Sequence, residues 1–192
     1  MPKDLDNPIT RDNPEIRRYL AMVPPGVAMA EIGVSRGCFS ALMLECCRPK
    51  RLFLVDRWRP FPNFARSKRD HDAAYRYTRE RFRDRPEVKI LRMSSLRAAA
   101  ALFARSTRLD FVYIDADHRR ECVMEDLVVW SGLLAFGGLI GGHDYYTSPK
   151  RPHIGVVQAV TEFCATHPFR LVHVTRETYP SFLLAHSNSC NS

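Results

Sequence analysis

Short apolar runs alternate with longer segments whose apolar positions recur at helical spacing. The runs lie at 27–34, 51–56, 88–91, 109–115 and 138–143, and each gives way to polar residues at its C-terminal end. Between them the segments 39–47, 68–82, 96–104, 119–134 and 154–166 carry a helical stripe. Strands buried on both faces read as continuous apolar runs, and helices between them predict crossovers in a parallel sheet. Two further strand-like runs, 169–174 and 179–185, are joined by too few residues for a crossover helix, so this last pair is expected to be antiparallel. The expected architecture is a doubly wound α/β fold: a mostly parallel, seven-stranded sheet with an antiparallel last strand.

Before the first run, Asn13-Pro14-Glu15 offers a helix cap followed by proline at the first helical position, with Ile16, Tyr19, Leu20 and Val23 as the stripe and Pro24-Pro25-Gly26 as the stop. The chain of 192 residues is expected to form one domain over 1–192, with this helix at about 13–23, a core over 27–185 and a polar, frayed tail at 186–192. The start of the chain carries charge without a following apolar stretch, and the longest apolar region, 127–140, is too short to span a bilayer, so no membrane contact is expected.

Composition adds two constraints. Six cysteines show no CxxC pair and no zinc-like spacing with histidine, and the adjacent Cys46 and Cys47 are poorly placed to pair, which predicts free thiols and a cytoplasmic location. The net charge of +8 is concentrated, since residues 48–92 hold 15 Arg/Lys against 6 Asp/Glu. Such a surplus is either an anion-binding face or a solvated helix, and the helical spacing favours the second.

In doubly wound sheets, ligands sit beyond the C-terminal ends of the strands. Those ends carry Glu31 with Gly33 and Gly37, then Asp56, then Ser94 and Ser95, then Asp115 with Asp117 and His118, then His143 with Asp144. Glycines let a loop turn tightly and approach a ligand, and a carboxylate one helix and one strand later is suited to ribose hydroxyls. The spacing is GxxxG, however, not the GxGxxG of pyrophosphate-binding folds.

Together the segments AEIGVSRGCFS, LFLVDRW, LDFVYIDADHRRECVMEDLVVWSGLLAFGGLIGGHDYY and IGVVQAVTEF resemble successive motifs of class I S-adenosylmethionine-dependent methyltransferases, nearest to the small-molecule O-methyltransferases with IDADH-type and GGHDY-type strand ends. The resemblance implies a Rossmann-like methyltransferase fold with S-adenosyl-L-methionine as cofactor. It places Glu31, Gly33 and Gly37 at the methionine end, Asp56 on the ribose, Arg57 and Trp58 beside the adenosine, Ser94 and Ser95 near the base, and Val34 and Asp115 among the other cofactor-binding residues. Ser94 stands where the family commonly has an aspartate for the adenine amino group. The resemblance further implies a divalent cation, Mg²⁺ or Mn²⁺, on Asp115, His143 and Asp144. His143 is a departure from the usual acid there, and either ligates or joins Asp115 as a catalytic group that takes a proton.

The implied reaction is methyl transfer to a hydroxyl of a small-molecule acceptor, a sugar or a phenol. Tyr145 and Tyr146, with Arg57, Trp58, Arg59, Phe61 and Phe64, are candidate pocket residues, while Asp117 reads as a helix cap and His118 as a structural residue. A nucleic-acid acceptor is disfavoured, because an Asn/Asp-Pro-Pro-aromatic run would be expected where the chain has IDADH. A cofactor-binding relic acting as a partner module is the non-enzymatic alternative, and a homodimer completing the site is compatible with the short insertion.

Overall fold

The computed structural model describes residues 13–59 and 68–187, with side chains except those of 68–70. Phe61, Phe64, Cys190 and most of the tail lie outside the described residues. The elements are α1 (Pro14–Leu20), β1 (Ala28–Ile32), α2 (Cys38–Cys47), β2 (Arg51–Asp56), α3 (Lys68–Arg81), β3 (Val88–Arg92), α4 (Ser95–Phe103), β4 (Leu109–Ile114), α5 (Arg120–Ser131), β5 (Leu134–Gly142), α6 (Val156–Thr166), β6 (Phe169–Val174) and β7 (Phe182–His186). The sheet order is β3-β2-β1-β4-β5-β7-β6, parallel except for β7, which runs against both β5 and β6.

Period-two alternation splits each central strand between two layers. Ala30 and Ile32 of β1, Phe53 and Val55 of β2, and Val112 and Ile114 of β4 face α4, α5 and α6, where they meet Leu102, Leu127, Trp130 and Phe163. Met29, Leu52, Leu54, Phe111 and Tyr113 point the other way, toward α1, α2 and α3, and meet Tyr19, Leu42, Met43 and Phe82. Each fully buried Leu, Ile or Phe contributes roughly 1.5–3 kcal/mol relative to exposure.

Asn13 caps α1 by accepting from the Glu15 amide at 3.0 Å, and the helix ends at Leu20, shorter than the apolar stripe predicts. It packs on its own sheet: Tyr19 is fully buried and its hydroxyl donates to the Phe182 carbonyl at 2.9 Å. The fifth strand begins four residues earlier than the pattern predicts, at Leu134, because a register shift against β4 carries Phe136 and Gly137 out of the ladder and leaves the Phe136 ring in solvent. No helix among the described residues is long and apolar enough to cross a membrane. Cys38, Cys46, Cys47, Cys122 and Cys164 are free thiols.

The topology also fixes where a ligand goes. From β1 the chain winds outward through β2 to β3 on one side, and from β4 onward on the other. At such a reversal the loops leaving the two central strands diverge and open a crevice. Here those loops begin at Gly33 and Asp115.

Candidate active site

The crevice is a cavity of about 840 Å³ beyond β1, β2, β3 and β4. Its wall includes Glu31, Gly33, Val34, Asp56, Arg57, Trp58, Ser94, Ser95 and Asp115, so nine residues singled out from sequence share one space. Gly37 is not on that wall. It caps α2 in a left-handed conformation, φ 70°, and the Phe82 ring fills the place a side chain would take.

Gly33 is required by both conformation and space. Its φ is 93°, and a Cβ there would collide with the Asp115 carbonyl and come within 2.7 Å of the Ala116 Cα. The two diverging loops are thus pressed backbone to backbone, with the Asp115 amide donating to the Ile32 carbonyl at 2.7 Å.

Asp56 holds the backbone of the neighbouring loop. Its Oδ2 accepts from the amides of Val34 and Ser35 at 3.0 and 2.9 Å, and its Oδ1 accepts from the Trp58 amide at 2.7 Å. A carboxylate has about four lone-pair positions, so these bonds leave room for roughly one more donor. Ser35, at φ 52°, is held from its other side as well, its carbonyl accepting from Trp58 Nε1 at 2.7 Å and Thr78 Oγ1 at 3.0 Å. Trp58, expected beside an adenosine, lines the cavity, and its 1% exposed indole also anchors the glycine loop.

Glu31 is buried beneath the same loop, paired with Ser40 Oγ. Burial pushes its carboxyl well above the ordinary range, against the Ser40 hydrogen bond that favours ionisation. A cation entering the cavity would draw it back toward the ionised form.

Four ionisable groups gather beyond β4 and β5. His118 Nε2 lies 3.1 Å from Asp115 Oδ1, and His118 Nδ1 lies 3.1 Å from Asp144 Oδ2. A neutral imidazole donates through one nitrogen only, so the imidazolium satisfies both contacts. Burial opposes that charge, but the hydrogen bond and charge of Asp115 and the charge of Asp144 outweigh it and raise the His118 pKa, against the neighbouring His143. His143 Nδ1 stands 3.6 Å from Asp144 Oδ2 and 3.8 Å from Asp115 Oδ1. Burial again opposes its cation, yet Asp144, Asp115 and Glu177 push its pKa up to about 9. Asp144 is held below the usual carboxylate range, its burial outweighed by His143, His118 and Arg151. The two carboxylates and Glu177 thus favour the protonated form of His143.

The ligand set expected from sequence gains a second imidazole. Donor atoms of Asp115, His118 and Asp144 all lie within 4.8 Å of one another, and His143 Nδ1 stands close to both carboxylates. Two carboxylates and an imidazole are donors a divalent transition ion accepts. The sequence offers His118 as a strand-end residue and assigns it a structural role. Of the cluster, Asp115 lines the cavity and His143 and Asp144 stand behind it. Tyr145 and Tyr146 are off the cavity as well: Tyr145 packs on Phe182, with centroids 5.8 Å apart, and Tyr146 on Tyr179, 5.5 Å apart.

A methyltransferase-domain family model matches residues 30–145, from the end of β1 to the residue after Asp144. The chain belongs to this methyltransferase family. Among solved structures, this methyltransferase domain is similar to an O-methyltransferase from Bacillus cereus in complex with SAH, at 17% identity and a TM-score of 0.68, covering 92% of this chain and 82% of that one. It is similar to a Clostridium thermocellum protein provisionally described as an rRNA methylase, at 16% identity and TM-score 0.65 over 90% of this chain and 95% of that one. It also resembles the N-methyltransferase NodS from Bradyrhizobium japonicum, at 16% identity and TM-score 0.61 over 91% of this chain and 98% of that one. At such identities the likeness concerns the fold, and the three named acceptor types differ. No protein of curated function matches the sequence significantly.

Three arginines of the basic stretch are paired locally. Arg92 pairs with Asp72 and lies 4.3 Å over the Tyr75 ring, Arg83 pairs with Glu80 at 2.7 Å, and Arg85 with Glu87 at 2.8 Å. Arg36, Arg57 and Arg59 line the cavity, beside His71, whose Nε2 is buried without a hydrogen-bond partner among the described residues.

Proposed function

We propose that the protein transfers a methyl group from S-adenosyl-L-methionine to a hydroxyl of a small molecule in the cytoplasm. The observation that carries this reading is the convergence of Glu31, Gly33, Asp56, Ser95 and Asp115 on one cavity, with Asp115 linking its wall to His118 and His143 outside it. The methionine ammonium would lie toward Glu31 and the ribose at the remaining acceptor position of Asp56. The sulfonium methyl would face Asp115.

In the reaction the acceptor oxygen attacks the methyl carbon in line with the departing sulfur. The carbon–sulfur bond breaks with its electron pair on sulfur, leaving S-adenosylhomocysteine, and the hydroxyl proton passes to the enzyme. Most of the rate comes from holding the two reactants in line. Asp115 meets the cavity, so it is the group placed to receive the proton, while the imidazoliums of His118 and His143 hold it and Asp144 in position. With His118 deprotonated to its neutral form, Asp115, His118 and Asp144 would instead hold a divalent metal, Mg²⁺ or more readily Mn²⁺, which when bound would polarise a hydroxyl and ease its deprotonation.

The IDADH strand end, where an Asn/Asp-Pro-Pro-aromatic run would be expected for a nucleic-acid acceptor, favours a small acceptor over RNA. The test is calorimetric titration with S-adenosylmethionine after chelation and again with Mn²⁺ or Mg²⁺, followed by a methyl-acceptor screen of phenols, glycosides and RNA. Cofactor binding and methylation of a small hydroxyl compound support the proposal. Absence of cofactor binding overturns it, and methylation of RNA alone overturns the acceptor class.

A further inference from the structure

Where the cavity passes the end of β3, its wall is Met93, Ser94, Ser95 and Leu96, two apolar side chains able to cover a flat base and two hydroxyls at its edge. A base carrying an exocyclic amine needs an acceptor at that edge, and Ser94 offers no carboxylate. One lies just behind, on the neighbouring helix. Asp126 of α5 lines the same cavity, is 5% exposed, and accepts a hydrogen bond from Ser95 Oγ.

The direction of that bond is fixed. Trp130 Nε1 donates to Ser95 Oγ at 2.8 Å, and an ionised carboxylate only accepts, so the Ser95 proton goes to Asp126. Ser95 is the hydrogen-bond partner that Asp126 has among the described residues, and its second oxygen keeps its acceptor capacity. The other carboxylates on this side are worse placed. Asp117 is enclosed by Arg119 through contacts of 2.6 to 3.1 Å, and Glu125 is exposed.

We propose that Asp126 selects the base of the cofactor, accepting a hydrogen from the 6-amino group of adenine with the carboxylate oxygen that Ser95 leaves open. This inference rests on the S-adenosylmethionine reading above. Burial, with Glu125 and Asp117 nearby, raises the Asp126 pKa to about 6 against the Ser95 hydrogen bond, so the group is an anionic acceptor at neutral pH. In Asp126→Asn the amide oxygen takes the Ser95 proton and the amide NH₂ turns to the base, converting an acceptor into a donor.

The experiment is a binding competition between S-adenosylhomocysteine and S-inosylhomocysteine, whose 6-oxo group accepts where the amine donates. The wild-type protein is expected to favour the adenosyl ligand by roughly tenfold or more, and Asp126→Asn to lose or reverse that preference. Ser95→Ala, which leaves the carboxylate but not its orientation, is expected to reduce the preference, and it decides the matter if Asp126→Asn does not fold. A wild-type protein that prefers the adenosyl ligand while both variants keep that preference overturns the role of Asp126 and leaves the cofactor assignment intact. A wild-type protein that binds neither ligand overturns the cofactor assignment and this inference with it.

Discussion

His118 Nδ1 lies 3.1 Å from Asp144 Oδ2, across a gap between two loops that leave different strands. With its other nitrogen on Asp115, the ring ties the end of β4 to the end of β5. His118→Ala leaves two buried or half-buried carboxylates without that shared partner. The methyl-transfer rate is expected to fall on the order of a hundredfold. Cofactor affinity should stay near wild type, because His118 is not on the cavity wall. Single-turnover kinetics beside calorimetry separates the two, and loss of both together would place His118 in cofactor binding instead.

Asp126 gives the protein a pH dependence of stability with a defined sign. Its folded pKa, about 6, lies above the ordinary aspartate value, so the folded chain holds this proton more tightly than the unfolded one. The contribution of the protonated group is present below about pH 4 and lost as pH rises through 6. The shift corresponds to about 3 kcal/mol. Asp126→Asn is expected to match wild type in thermal denaturation near pH 4 and to exceed it at pH 7 to 8. Equal melting temperatures throughout would show that the carboxylate is not desolvated.

Gly33→Ala meets both an unfavourable φ and the backbone of the neighbouring loop. Neither the Asp115 carbonyl nor the Ala116 Cα can swing aside as a side chain could. A loss of roughly 3 kcal/mol or more is expected, with cofactor binding impaired in whatever folds. Denaturant unfolding measures the first and titration the second. A variant of wild-type stability would mean that the two strand ends can separate freely.

Asp56→Ala removes the acceptor for the amides of Val34 and Ser35. Those two amides are expected to lose most of their hydrogen-exchange protection, while the amide of Gly33, bonded to the Val55 carbonyl at 2.8 Å, keeps its own. Cofactor affinity should drop at least tenfold. Unchanged protection at Ser35 would show that Trp58 and Thr78 hold the loop unaided.

Most of the fold was legible because burial on both faces writes itself into a strand locally: β2 appears at 51–56 as the apolar run predicts. The fifth strand was misjudged at its start because Phe136, an apolar residue beside two glycines, carries no local sign that it is turned out of the ladder. The strand-end carboxylates were equally visible, since topology alone brings residues at those positions to one edge. What the sequence could not show is which partner each group keeps. Asp56 spends most of its acceptor capacity on its own backbone, His118 reaches a residue 26 positions away, and Asp126 meets Ser95 across two helices. Gly37, expected at the methionine end, likewise keeps a partner that its local sequence does not show. The Phe82 ring against it comes from 45 residues further along the chain.

The clamp on the glycine loop has an energetic side of its own. Val34 and Ser35 are held by Asp56 through their amides, and Ser35 by Trp58 and Thr78 through its carbonyl. A loop already ordered in this way gives up little conformational freedom when a nucleoside settles on it. Association should then proceed at an ordinary docking rate in a single phase, without a slower loop-folding step behind it.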